Sequence, residues 1–269
     1  MNNYELGIHD ISIDEYHSSG GLSNSGLKLF KDCPYKYYWQ YLSGMATIKD
    51  DTPSLIIGKV VHTLTLEPHL FDVEYVLEPT EINKRTKAGK LEYEAFVAEN
   101  QNKAIISQDI FETANAMAES IKSCEIAESL IHDAKFEQSI YFKDEQTGVN
   151  LKARPDIWHD HLIVDLKTTA DAKYSSFQRS LINFGYCTQA ALIQRAIQSI
   201  GGDFEKYAFI AVENKEPYCV AVYTLDDEAI DFGHKIIDET LPRFAECLKT
   251  NNWPGYPFEN LLLPGWATY

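Results

Sequence analysis

The chain has 269 residues, 45% of them apolar and 24% charged, a globular balance that allows one substantial core or one domain carrying a helical elaboration. Its formal charge of -16 should repel a polyanion, which excludes a protein that coats nucleic acid by overall charge but not an enzyme that gathers its cations in one groove. No apolar run approaches the roughly 20 residues of a membrane helix, the polar opening MNNYELGIHDISIDEYHSSGG is not a signal peptide, and five scattered cysteines without a CxxC pair fit reduced thiols.

In LSNSGLKLFKDCPYKYYWQYL, Ser23 is a helix cap ahead of Leu27, Phe30 and the aromatics Tyr37, Tyr38, Trp39 and Tyr41, with Pro34 dividing the run into two short helices. SLIIGKVVHTLTLEP spaces Leu55, Ile56, Val60, Leu64 and Leu66 as a helix, with His62 inside the apolar segment. INKRTKAGK then gathers Lys84, Arg85, Lys87 and Lys90. KLEYEAFVAEN and SQDIFETANAMAESIKSCEIAESLI are helical by periodicity and Ala/Glu content. EQSIYFKD, GVNLKARPDIW and HLIVDLKTT read as a three-stranded antiparallel meander, joined through DEQTG and a tight HDH link. FGYCTQAALIQRAIQSI is a further helix, YAFIAVE and YCVAVYTL are β runs around the turn NKEP, and a final helix runs from near Asp226 towards Lys249. There is no internal repeat. The order gives an α/β core flanked by helices, and the chain reads as a single domain over 1–269, with a mainly helical part at 22–134, a core at 135–225 and a C-terminal helix and tail at 226–269.

Within LIVDLKTT, strand alternation puts Ile163, Asp165 and Lys167 on one face and Leu162, Val164 and Leu166 on the other. Asp156 stands near the end of the preceding strand, close enough for its carboxylate to converge with that of Asp165. Two such carboxylates make a hard oxygen site suited to Mg²⁺ or Mn²⁺, whereas zinc would call for histidine and cysteine clusters. A lysine beside them can orient a water and stabilise charge developing on a phosphate. The plainer alternative is a cross-strand ion pair between Asp165 and Lys167 on a solvated face.

Pro155-Asp156 followed nine residues later by Asp165-Leu166-Lys167 resembles the PD-(D/E)xK nuclease signature. LSNSGLKLFKDCPYKYYWQYL and GKVVHTLTLEP resemble the opening helical motif and the glycine-to-histidine motif of the RecB-like branch, and EQSIYFKDEQTGVNLKARPDIW with DLKTTADA resembles the core of the RecE (exonuclease VIII) type of phage and prophage exonuclease. The likeness spans roughly residues 22 to 225. It implies a restriction-endonuclease-like core, a mixed central sheet flanked by helices with an N-terminal helical elaboration. It also implies a Mg²⁺-dependent double-strand DNA exonuclease, with Mn²⁺ able to substitute, that resects 5′ to 3′ for recombination by single-strand annealing. A homo-oligomeric ring, a RecT-type annealing partner and the cytoplasm of a bacterial host come with it. Carried over by position, His62, Asp156, Asp165 and the Leu166 carbonyl are metal ligands, Lys167 holds the attacking water, Glu137 serves a second metal or its water shell, and Gln189 matches the glutamine of a QxxxY helix motif. Ile193 stands where that motif has tyrosine, while Tyr186 lies one helical turn before Gln189. Cys33 has no C-terminal cysteine trio, so no iron-sulfur cluster is expected.

Each assignment has a plainer counterpart. His62 can be a satisfied core histidine, Gln189 a surface residue, Arg154 either a phosphate contact or a solvated side chain, and Lys84 with Arg85 either phosphate contacts or part of a soluble loop. The CPYKYYWQYL aromatics suit packing better than base stacking. Rival functions are a structure-specific endonuclease or helicase-coupled nuclease module, and a non-catalytic scaffold that binds DNA ends.

Overall fold

Short, well-capped helices open the chain, and the computed structural model describes residues 4–47, 51–159 and 161–264. After strand β1 (Gly7–His9), Ser12 and Glu15 form a reciprocal capping box at helix α1 (Ile13–Ser18). Helix α2 (Asn24–Asp32) starts at Ser23, whose hydroxyl accepts from the Gly26 N–H at 3.3 Å, and Pro34 opens α3 (Pro34–Tyr37), as the sequence predicts. Helix α4 (Pro53–Leu66) buries Val60, Val61, Thr65 and Leu66. Helix α5 (Phe71–Glu74) follows, and strands β2 (Tyr75–Leu77) and β3 (Ala104–Ile106) pair in parallel on either side of α6 (Lys87–Glu99). The single helix expected next is two, α7 (Gln108–Ser123) and α8 (Glu125–Ile131), because Cys124 takes an extended conformation with φ −88° and ψ 104°.

The expected meander is divided between two sheets. Strands β4 (Lys135–Phe136), β5 (Ser139–Lys143), β6 (Asn150–Ala153), β7 (Ile157–Trp158) and β8 (Leu162–Thr169) follow one another, but β5 and β6 form a sheet with β1 while β4, β7 and β8 belong to another. The break falls at Arg154-Pro155-Asp156, where proline has no N–H to give the ladder. Asp160 of the predicted HDH link lies outside the described residues. The larger sheet runs β10-β9-β8-β7-β4, with β9 (Lys206–Glu213) parallel to β8 and β10 (Val220–Leu225) antiparallel to β9. Helix α9 (Tyr174–Asn183), which the sequence reading left unassigned, and α10 (Tyr186–Ser199) make the crossover that parallel pairing requires.

This is the mixed sheet flanked by helices that the sequence led us to expect. One face presents Ile163, Tyr207, Phe209 and Ala211 to a core shared with α10 and α11 (Asp227–Thr250). The other presents Ile157, Val164, Leu166, Ala208 and Ile210 to a core shared with α4 and α7. Burial on both faces explains the near-continuous apolar run of β8, and makes Asp165 within it conspicuous.

Helix α10, which carries Gln189, is fixed by a close approach of α11. A Cβ on Gly233 would stand 2.1 Å from the Cys187 carbonyl oxygen and 2.9 Å from the Ala191 Cβ. Gly233→Ala is therefore expected to lower stability by about 1–3 kcal/mol through overpacking, seen as a lower midpoint in thermal unfolding. An unchanged midpoint would show that the two helices can part freely.

Candidate active site

The bend at Pro155 places the site. Freed from the strand ladder, the Asp156 side chain turns back onto β8, where its Oδ2 accepts the Leu166 N–H at 2.9 Å, and its carbonyl accepts the Glu137 N–H at 3.0 Å. Glu137 sits between β4 and β5 with φ 51°, a left-handed conformation that costs a non-glycine residue on the order of 1 kcal/mol. Its Oε2 accepts from Arg154 Nε at 2.7 Å, and Arg154 Nη1 donates to the Ile11 carbonyl at 2.8 Å and to Ser139 Oγ at 2.5 Å. His62 reaches in from α4, its Nε2 2.8 Å from the Leu166 carbonyl oxygen and its Nδ1 3.7 Å from Glu137 Oε1 and 3.9 Å from Asp156 Oδ2. One ligand atom from each of His62, Glu137 and Asp156 lies within 4.8 Å of the others.

Asp165, with no exposed surface, continues the site on the α10 face of β8. Its Oδ1 accepts from Gln189 Nε2 at 2.6 Å and from the Tyr207 hydroxyl at 3.2 Å. Its Oδ2 is in contact with the Lys167 ammonium, which lies over the Tyr186 ring at 5.0 Å.

Burial and mutual charge set the protonation states. Burial, then the Asp165 carboxylate, pushes the Asp156 carboxyl up to about 7. Burial works against the His62 imidazolium, but the Asp156 and Glu137 carboxylates outweigh it and raise its pKa to about 9. Burial would also raise Glu137, yet His62 and Arg154 hold it below the usual carboxylate range. For Lys167 the desolvation penalty is overcome by Asp165 and Asp156, so the ammonium is held above the ordinary lysine range. Tyr207 is pushed well up by burial, and further by Asp165 and Asp156, so its phenol stays a donor.

In this geometry an imidazolium stands among two carboxylates and a carbonyl, where a cation would be stabilised. Carboxylate and peptide oxygens with one imidazole nitrogen form a largely oxygen donor set of the kind that holds a divalent ion. Asp165 Oδ2, buried against the Lys167 ammonium, adds an anionic oxygen beside the trio. The residues thus fit a divalent ion.

The structure brings together His62, Glu137, Asp156, Asp165, Leu166, Lys167, Gln189 and Tyr186, all singled out from sequence. It draws Glu137, rather than Asp165, into the compact trio with His62 and Asp156, because Asp165 is turned to its ammonium partner. Arg154 corrects an expectation: with the strand broken at Pro155, its side chain is only 9% exposed and is spent on Glu137, Ile11 and Ser139 rather than offered to a phosphate. Lys84 pairs with Glu78 and lies 4.2 Å from the Tyr93 ring centroid, while Arg85, Lys87 and Lys90 are exposed. Ile193 is buried in the apolar core. Tyr207 was not anticipated, and the one signal for it was a hydroxyl within the apolar run YAFIAV.

Comparison with known proteins agrees with this architecture. The family described as a "PDDEXK-like domain of unknown function (DUF3799)" matches residues 23–259. Among solved structures, a "Putative exonuclease" from Eubacterium rectale superposes with a TM-score of 0.59 at 15% identity, over 93% of this chain and 97% of that one, a likeness of fold. A phage-related exonuclease from Haemophilus somnus 129PT gives a TM-score of 0.34 at 14% identity, over 65% and 91% of the two chains, too loose to compare architectures. No curated protein matches.

Proposed function

This chain belongs to the PDDEXK-like family matched above, and from that premise we propose that it is a divalent-metal-dependent nuclease, specifically a Mg²⁺-dependent exonuclease acting on duplex DNA ends. The observation that carries the reading is the meeting of His62, Glu137 and Asp156 within 4.8 Å, beside a buried Asp165 paired with Lys167.

His62, Glu137, Asp156, Asp165 and the Leu166 carbonyl are the residues that would hold the ion, which when bound polarises the scissile phosphate and acidifies a water. Lys167 does the rest. Its ammonium, in contact with Asp165, is placed to orient the attacking water and stabilise negative charge growing on the phosphate oxygens. Asp165 holds that ammonium in place. Gln189 in turn holds Asp165, and the Tyr186 ring covers the lysine.

The finer reading follows the RecE resemblance: digestion 5′ to 3′, a ring of identical subunits threaded by DNA, a RecT-type annealing partner, and a role in phage-type recombination. A ring fits the net charge of -16, since cations such as Arg85, Lys87 and Lys90 can line a bore while carboxylates face outward. No described helix is long and apolar enough to cross a membrane. The test is a time course on end-labelled linear duplex and on covalently closed circular duplex, with Mg²⁺ and with EDTA. Mg²⁺-dependent loss of the linear substrate, with the 5′-terminal label released first and the circle intact, is expected. Cutting of the closed circle would overturn the exonuclease reading, and no cutting of either would overturn the nuclease.

A further inference from the structure

We infer that Tyr207 is a positioning residue for this site, fixing the plane of the Asp165 carboxylate so that one oxygen is held by neutral donors and the other faces the Lys167 ammonium and the cation site. The assignment rests on the divalent-metal nuclease reading and deepens it. Parallel pairing sets Tyr207 opposite Ile163 and Phe209 opposite Asp165, so the tyrosine lies diagonally beside the aspartate on the same face of the sheet. Its hydroxyl crosses to Asp165 Oδ1, the same oxygen that accepts from Gln189.

Two neutral donors on one oxygen and the Lys167 ammonium against the other make the carboxylate asymmetric. Partial rotation of the Asp165 side chain about its last bond would swing its oxygens away from the cation site, and a terminal torsion of this kind is soft when nothing opposes it. Here such rotation would strain both hydrogen bonds at a carboxylate without exposed surface, so the torsion is held. Gln189 reaches this oxygen from α10 at the end of a flexible side chain, whereas Tyr207 is held by a fully buried ring on the central sheet. The aromatic residues packed around that ring include Phe204 and Phe209, so the position tolerates a phenyl ring, and Asp165 gives the hydroxyl its purpose.

Tyr207→Phe keeps the ring and removes the donor. Calorimetric titration with MnCl₂ in the absence of DNA is expected to show at least about tenfold weaker binding than wild type, the scale typical of lost hydrogen bonds behind a metal ligand. The Mg²⁺ concentration for half-maximal hydrolysis should rise with it, and the metal-free melting point should stay close to that of wild type. Gln189→Met, which removes the other donor from the same oxygen, is expected to weaken Mn²⁺ binding in the same direction, so that a folding defect in one variant does not remove the test. Mn²⁺ binding by Tyr207→Phe within twofold of wild type, with wild type binding and cutting normally, would overturn this assignment alone. A wild type that neither binds Mn²⁺ nor cuts DNA would overturn the nuclease reading, and this assignment with it.

Discussion

Lys167→Ala is expected to lower the rate of phosphodiester hydrolysis by about 10²- to 10⁴-fold at saturating Mg²⁺, while the metal-loaded protein stays folded. The ammonium is the cation in contact with Asp165 Oδ2, and its side chain is only 19% exposed, so bulk water cannot replace it. Neither can a neighbour: Arg154 is committed to Glu137, and His62 lies against Asp156 and the Leu166 carbonyl. The loss should fall on turnover more than on DNA affinity, because Lys167 meets a charge that grows only as the reaction proceeds. Steady-state kinetics on linear duplex separates the two. A variant retaining more than about a tenth of wild-type turnover would show that Lys167 is an ordinary ion-pair partner.

The same pairing governs the choice of variant at Asp165. Asp165→Ala would leave the Lys167 ammonium buried without its partner, a loss of about 3–5 kcal/mol when one member of a buried pair is removed. Inactivity of that variant would be hard to separate from unfolding. Asp165→Asn keeps the acceptor for Gln189 and Tyr207 but turns its amide NH2 onto the Lys167 ammonium, so it strands the same charge, and Lys167→Ala is the cleaner test of the chemistry.

Much of this site was legible before any coordinates, because its parts obey strand periodicity. Asp165 and Lys167 share a face of β8 as alternation demands, and a charged pair in a run otherwise buried on both sides announces itself. What periodicity could not supply was long-range geometry. The meander split because Pro155 ended one ladder, which redirected Arg154 from solvent to Glu137. Helix α9 was missed because its apolar residues, such as Phe177 and Leu181, are diluted by serine and polar positions and read as loop. Tyr207 offered only a hydroxyl in an apolar run: whether a tyrosine there uses that hydroxyl depends on what lies across the sheet. His62 had an apolar stretch as its context, and only the tertiary approach of α4 to the Leu166 carbonyl gives it charged neighbours.

Those neighbours also dictate how the protein should respond to pH once divalent ions are removed. Asp156 has its pKa raised from 3.8 to about 7 and His62 from 6.5 to about 9 on folding, so the folded chain binds these protons more tightly than the unfolded one. A raised folded pKa contributes stability that is fully present below the unfolded value and is lost as pH rises through the folded value. The contribution from Asp156 should therefore fade between pH 3.8 and about 7, and that from His62 between 6.5 and about 9. In EDTA these two groups are expected to pull the melting point down across the neutral to mildly alkaline range. Mg²⁺ should act in the opposite sense, because a cation at these carboxylates takes the place of the protons and competes with fewer of them as pH rises. Its stabilisation, about 2.7 kcal/mol at a hundredfold excess over the dissociation constant, should therefore be reached at lower Mg²⁺ concentration at pH 9 than at pH 6. Thermal unfolding in EDTA and in a MgCl₂ series at those two pH values measures both effects. Equal Mg²⁺ requirements at the two would mean that the ion does not displace these protons and sits elsewhere.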